Sequence, residues 1–207
     1  LYAEGTTDYL FLSQLLFRVT RDMCNRRSRR SVDVTEVQAI DAPRASKPAD
    51  LSRKERILRA VENHPEARLI FIHADADSDH RRSVSERINP ARLEIESCKE
   101  DWMIDRRIVP VVPIRETEAW ILADSEAIRQ ATGSRLSDSD LGLTRNPASV
   151  EKLNDPKVEV ARVFERIIGK PSRRKRASDY FNLIGVYVDL DRLRLLTAFR
   201  MLETELE

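Results

Sequence analysis

Two short stretches of this sequence have the residue types and spacing for metal-assisted phosphoryl chemistry. Asp75-Ala76-Asp77 follows the apolar run Leu69-Ile70-Phe71-Ile72 and His73. Residues two apart in an extended segment face the same way, so both carboxylates can aim at one point just beyond a strand. Mg²⁺ is a hard ion that keeps several waters and takes one or two carboxylates plus phosphate oxygens, so the pair suits it, and Mn²⁺ would serve in its place. An isolated Asp-x-Asp is about as often a solvated acidic turn capping the next helix. A second acid shifts that balance. Glu4 ends another strand, Leu1-Tyr2-Ala3, and precedes Gly5-Thr6-Thr7-Asp8. Gly5 lets backbone approach a ligand closely, and Thr6 and Thr7 open a helix whose unpaired N–H groups and positive dipole end favour phosphate. Glu4 is then placed to bind metal or to move a proton.

These acids need strands and helices to hold them. Thr6 or Thr7 is expected to cap a helix with Leu12, Leu15, Leu16 and Val19 as its buried stripe. After a basic loop from Arg21 to Ser31, Val32, Val34 and Val37 come close to alternation and predict a second strand. Residues 41–50, with Pro43 and Pro48, read as a linker, and Ser52 with Glu55 has capping-box spacing before Ile57, Leu58 and Val61. The run Leu69–Ile72 fits a central parallel strand covered on both faces. A helix is expected around Leu93–Met103, and Ile108–Pro113 is a further strand that Pro110 and Pro113 push toward an edge. Helices follow from Glu116 to Ile128, near Val158–Ile168 and near Leu190–Leu206. The reading is an α/β chain with an open parallel sheet flanked by helices, and a helical C-terminal section. Ligands of such sheets sit at the carboxyl ends of strands, where both acidic motifs fall.

Charge is nearly balanced in the 207 residues, 36 basic against 35 acidic, so the global balance alone does not favour a nucleic-acid partner. Its distribution is more telling. Arginines cluster at Arg26, Arg27, Arg29 and Arg30, and at Arg173, Arg174 and Arg176 beside Lys170 and Lys175. Guanidinium groups grip phosphate in a bidentate fork, although solvated arginine-rich loops are common. Cys24 and Cys98 lack metal-type spacing and read as reduced thiols of a cytoplasmic protein. No stretch approaches the ~20 apolar residues of a membrane span, and the first strand reads as truncated at Leu1.

Glu4-Gly5-Thr6-Thr7-Asp8 on the first strand-to-helix turn, with Asp75-Ala76-Asp77 after a later apolar strand, resembles the Toprim superfamily of topoisomerases, primases and overcoming-lysogenization-defect nucleases. The resemblance covers residues 1–115 and implies a Rossmann-like Toprim domain there, with 116–207 as a mainly helical extension packed on it. It implies one or two Mg²⁺ ions on Asp75 and Asp77, with Glu4 as ligand and proton-transfer group. Pro113-Ile114-Arg115-Glu116-Thr117-Glu118-Ala119-Trp120 is similar to a stretch of small uncharacterised bacterial Toprim proteins, often encoded beside an ABC-type ATPase in phage-defence loci. Nuclease members hold a second metal with further carboxylates, for which Glu118 is preferred over Glu116. The alternative is a helix whose acids merely suit its positive end.

A basic residue of the run Lys170–Arg176 is expected to hold the scissile phosphate, with Lys170, Lys175 and Arg174 as candidates and Lys175 assigned the catalytic role. Asp8, Asp79 and His80 are expected to support the metal ligands from behind, and His73 to pack at the strand end. The implied function is a Mg²⁺-dependent nuclease acting on DNA or RNA, an anti-phage effector working with an ABC-type ATPase, with no membrane partner and with room for a homodimer. Two rivals remain. One is a non-cleaving subunit that binds nucleic acid or the ATPase. The other is a haloacid-dehalogenase-like phosphatase, disfavoured because its Asp-x-Asp usually lies on the first strand.

Overall fold

The computed structural model describes residues 1–40, 51–76, 79–97, 106–170 and 175–207. Expectations that fall on Asp77, Arg173, Arg174, Cys98, the 41–50 linker and residues 98–103 lie outside the described residues.

The centre of the molecule is a parallel sheet. Strand β1 (Leu69–His73) pairs with β2 (Arg107–Val111) in the register Leu69 to Arg107 through His73 to Val111. On the other side of β1, the Tyr2 N–H donates to the Phe71 carbonyl at 2.9 Å and the His73 N–H donates to the Tyr2 carbonyl at 2.8 Å, so Leu1–Ala3 is a short third strand. Beyond it, the Leu1 amino group donates to the Gln38 carbonyl at 2.7 Å and the Ile40 N–H donates to the Leu1 carbonyl at 2.8 Å. That exchange is the parallel pattern once more. The spatial order is therefore 38–40, 1–3, β1, β2. The expected second strand does not form at 32–37: among the described residues Val32 to Val37 make no ladder, Val32 is exposed, and the pairing falls just after them at 38–40. At the edge of a sheet, one-sided pairing gives those valines little to bury against. β2 has one partner among the described strands, which fits Pro110, a residue that cannot donate to a ladder.

Helices cover both faces. They are α1 (Thr6–Arg27), α2 (Arg53–Glu62), α3 (His80–Ser83), α4 (Asn89–Ser97), α5 (Thr117–Leu122), α6 (Ser125–Thr132), α7 (Asp138–Leu141), α8 (Pro156–Ile168), α9 (Phe181–Tyr187), α10 (Leu190–Leu193) and α11 (Thr197–Leu206). A wider π-type turn at Val84–Ile88 joins α3 to α4. Such turns often lie beside functional sites. The pleat divides the core in two. Leu1, Ala3, Phe71, Val109 and Val111 point to one face, where they join the α1 stripe of Phe11, Leu12, Leu15, Leu16 and Val19 and the apolar sides of α5, α6, α8, α9 and α11. Tyr2, Ile70, Ile72 and Ile108 point to the other, against Ile57 and Val61 of α2, Ile88, and Ile95 of α4. Each fully buried Leu, Ile or Phe contributes roughly 1.5–3 kcal/mol, so both faces of the sheet are pinned. This is a mixed α/β fold with a small open parallel sheet.

Candidate active site

The strand order decides where a ligand fits. The crossover through α1 steps outward from Leu1–Ala3, and the crossover through α2 returns past that segment to β1. The loops leaving Ala3 and His73 therefore part in opposite directions, and open parallel sheets take ligands in such a gap at the carboxyl ends of the strands. Glu4 and Asp75 stand on its two sides. By contrast, a groove of about 460 Å³ lined by Leu1, Cys24, Val37, Ile40 and Leu69 opens at the amino ends and carries none of the expected acids.

Asp75 sits on a continuation of the ladder, since the Ala74 N–H donates to the Val111 carbonyl and the Ala76 N–H to the Pro113 carbonyl, both at 3.1 Å. Its own carbonyl accepts from the Ser83 hydroxyl at 2.8 Å and from Arg87 Nη1 at 2.9 Å, which fixes its backbone from the π-turn side. Two-residue alternation puts His73 and Asp75 on one side of the pleat. Accordingly, His73 Nε2 is 3.3 Å from Asp75 Oδ1 and 3.0 Å from the Thr117 hydroxyl, while His73 Nδ1 is 3.7 Å from Asp8 Oδ2. His73 is fully buried, so the expectation of a packed, hydrogen-bonded histidine holds, and it stands between two carboxylates. Asp75 Oδ1 is buried and receives no hydrogen bond from the described residues.

On the opposite side of the gap, Gly5 occupies the cap position of α1 and its N–H donates to Asp8 Oδ2 at 2.9 Å. Helix α1 thus starts with Gly5, not a threonine, as its cap, and Thr6 and Thr7 are exposed in the first turn. A Cβ at position 5 would lie 2.9 Å from that same Asp8 oxygen, so a larger residue there would make the Asp8 carboxylate shift. Glu4 is not free. Its Oε1 is 2.6 Å from Arg53 Nη1 and 3.6 Å from Arg87 Nη1. Arg53 is braced by donating from Nη2 to the His73 carbonyl at 2.7 Å and from Nε to the Arg87 carbonyl at 3.0 Å.

The third wall is the segment after β2. Arg115 has φ +71°, a left-handed conformation that costs a non-glycine residue about 1–2 kcal/mol, and it turns the chain so that Glu116 and Glu118 open α5. Glu118 is buried, and burial pushes its pKa up. Lys157, in the first turn of α8, brings its Nζ to 3.9 Å from Glu118 Oε1, and its backbone N–H donates to Glu116 Oε2 at 3.3 Å. The Lys157 ammonium is held above the usual lysine range chiefly by Glu118, with Glu116, Asp75 and Asp8 adding to it. The Lys157 ammonium thus stands in the field of four carboxylates, with Glu118 in ion-pair range.

Lys170 and Lys175 are exposed. Lys157 and Ile168 lie at opposite ends of α8, about 17 Å apart at 1.5 Å per residue, so Lys170 follows the end of the helix remote from the acids. Asp79 caps α3 by accepting from the Arg82 N–H at 3.0 Å. The charges felt by His80 are Asp79, Glu151 and Glu205, none of them in the gap, and burial lowers its pKa. The residues behind Asp75 are instead Ser83, Arg87 and His73. Sequence reading missed Arg53, Arg87, Ser83 and Lys157. Of these only Arg53 left a trace, as a cation at a helix N-terminus, where the dipole disfavours it.

These residues suit a hard cation. The donors facing the gap are carboxylates, and Asp75 Oδ1, with His73 Nε2 at 3.3 Å, accepts no well-aligned hydrogen bond from the described residues. Among the described residues no three acids, histidines or cysteines stand close enough to hold an ion by themselves, and Asp77 lies outside that set. Fold and site together define an α/β protein with acids on the loops that leave the carboxyl ends of a parallel sheet. The chain belongs to the family described as Domain of unknown function (DUF4276), which matches residues 3–207 and so takes in Glu4, Asp75, Glu118 and Lys157. No curated protein and no solved structure matches it.

Proposed function

We propose that this protein is a Mg²⁺-dependent nuclease of the Toprim type that cleaves nucleic-acid phosphodiesters. The observation that supports the reading best is that Glu4 and Asp75 follow adjacent strands on the two sides of the switch point, with a buried Asp75 oxygen that receives no hydrogen bond from the described residues. Asp75, Asp77, Glu4 and Glu118 would hold the metal, which when bound polarises the phosphodiester and eases ionisation of water. The chain supplies the rest. His73, wedged between Asp8 and Asp75, sets the direction of the Asp75 carboxylate. Glu4 takes the proton from the attacking water, and Lys157 offsets negative charge gathering beside Glu118. Lys157 takes over the part first assigned to Lys175, because it is the lysine beside the acids. By the same resemblance the partner is an ABC-type ATPase and the setting anti-phage defence. No helix among the described residues is long and apolar enough to cross a membrane.

The test is incubation of purified protein with labelled single- and double-stranded DNA and RNA, with Mg²⁺ or Mn²⁺, alone and with an ABC-type ATPase. Cleavage is expected, and Asp75→Asn should slow it at least about a hundredfold, as loss of a metal ligand or acid–base group does. Cleavage by Asp75→Asn at the wild-type rate sinks the reading, as does no cleavage under any condition. One observation favours a second reading, a non-cleaving binding subunit: Glu4 is already paired with Arg53.

A further inference from the structure

We propose that Arg53 and Arg87 form the seat of a phosphate group of the nucleic-acid ligand, and that the Glu4 carboxylate fills this seat in the free protein. That the phosphate belongs to nucleic acid rests on the nuclease reading, whereas the anion seat itself does not.

Arg53 is not where helix stability would put it. It is the first residue of α2, at the positive end of the helix dipole, where a cation is disfavoured. Arg87 lies on the π-type turn, which carries it against the Asp75 carbonyl. Both are braced by main chain. Arg53 spends Nε and Nη2 on the Arg87 and His73 carbonyls, and Arg87 spends Nη1 on the Asp75 carbonyl. This bracing fixes the two guanidinium groups side by side in the gap between Glu4 and Asp75. Burial acts against the Arg53 charge, the Glu4 carboxylate offsets this in part, and the neighbouring Arg87 and Arg56 add to it.

Among the described residues a single carboxylate, Glu4, lies within ion-pair range of these arginines. Glu4 Oε1 is shared between Arg53 Nη1 and Arg87 Nη1 at 2.6 and 3.6 Å. Two arginines thus face one described carboxylate at ion-pair distance, and the side chains of Arg53, Arg87 and Glu4 are 21%, 38% and 25% exposed, so solvent-borne anions reach them. A phosphate presents more oxygens and as much or more charge than a carboxylate to the same guanidinium forks. An arriving phosphate would therefore displace Glu4 from the arginines, and the released carboxylate stands at the mouth of the gap that Asp75 faces. Under the nuclease reading, substrate binding and the arming of Glu4 are one event, which keeps the acid masked until nucleic acid is present.

The test needs neither metal nor cleavage. Protein freed of metal with EDTA is titrated calorimetrically with inorganic phosphate, then with one oligonucleotide carrying a 5′-phosphate or a 5′-hydroxyl. Arg53→Gln and Arg87→Gln should each weaken phosphate binding about tenfold or more, the usual effect of losing a charge-assisted hydrogen bond. Glu4→Gln should tighten it severalfold by emptying the seat. Arg53→Lys, which keeps the charge and loses the fork, should fall between. Tighter binding of the 5′-phosphorylated oligonucleotide assigns a terminal phosphate, and equal binding of the two assigns an internal one. The proposal is overturned if folded Arg53→Gln or Arg87→Gln binds phosphate like wild type, if Glu4→Gln binds no tighter, or if wild type and Glu4→Gln both fail to bind. Should Arg53→Gln not fold, Arg87→Gln and Glu4→Gln carry the decision. Phosphate binding without any metal-dependent cleavage would keep the seat and remove the nuclease, and the reverse pattern would do the opposite.

Discussion

At the scale of single residues, Glu118 shows how the site strains against the fold. Burial raises its pKa, and the Lys157 ammonium 3.9 Å away opposes that rise without cancelling it. A raised folded-state pKa means that the folded chain holds the proton more tightly than the unfolded one. The stabilisation is complete below the ordinary glutamate pKa, about 4.3, and is lost as pH climbs through the raised value. Glu118→Gln removes this dependence, so the variant should melt higher than wild type near neutral pH, with the gap closing as pH drops toward about 4. Melting curves of the two proteins over that range decide the matter, and a constant gap at every pH would contradict it. The place of Asp75 beyond a strand end was legible in the sequence because strand alternation is a local pattern, whereas Glu118 entered only as what the family resemblance implies. Lys157 was not legible, since nothing between residues 118 and 157 says that α8 returns its first turn to α5. The same blindness hid Arg87, which reaches Asp75 only through the π-type turn.

At the scale of elements, the site depends on how closely α9 seats against α1, because α1 carries Asp8 one turn before that contact and is capped by Gly5. Gly185 makes that approach possible. A Cβ there would meet the Phe11 carbonyl at 2.6 Å and Gln14 Cβ at 3.0 Å, both on α1. Arg18 locks the contact by donating to the Gly185 and Val188 carbonyls at 3.1 and 2.6 Å. Gly185→Ala should cost about 1–3 kcal/mol through overpacking against immovable backbone, measured by urea unfolding, despite alanine's better helix propensity. A variant as stable as wild type would show that the two helices slide freely. The elements that bury an apolar stripe were readable in advance. β1, α1, α2 and the edge character that Pro110 gives β2 all follow from pattern. The 32–37 segment alternates like a strand and yet makes no ladder, since alternation records a face that could be buried, not a neighbour that buries it.

At the scale of the whole molecule, the sequence divides near residue 115 into a sheet-bearing part and a helical part, whereas the apolar core runs across that point. Leu1, Phe71 and Val111 share one cluster with Trp120, Phe164, Ile184 and Phe199, and Trp120 meets Phe199 edge to face at 5.6 Å. Polar ties reinforce it. Arg107 Nη2 donates to the Glu205 carbonyl at 2.6 Å, and Arg26 Nη2 lies 3.1 Å from Glu203 Oε1, so α11 is fastened both to β2 and to α1. Glu4 and Asp75 arise before residue 115 while Glu118 and Lys157 arise after it, so the site is complete only when both parts are folded together. Parts that share a core in this way are expected to unfold as one unit. Heating should give one transition, with far-ultraviolet circular dichroism, which follows the helices, and near-ultraviolet dichroism, which follows packed aromatic side chains, showing the same midpoint. Separate midpoints would mean that the helical part melts independently of the sheet, and the acid cluster would then disperse before the strands that carry half of it.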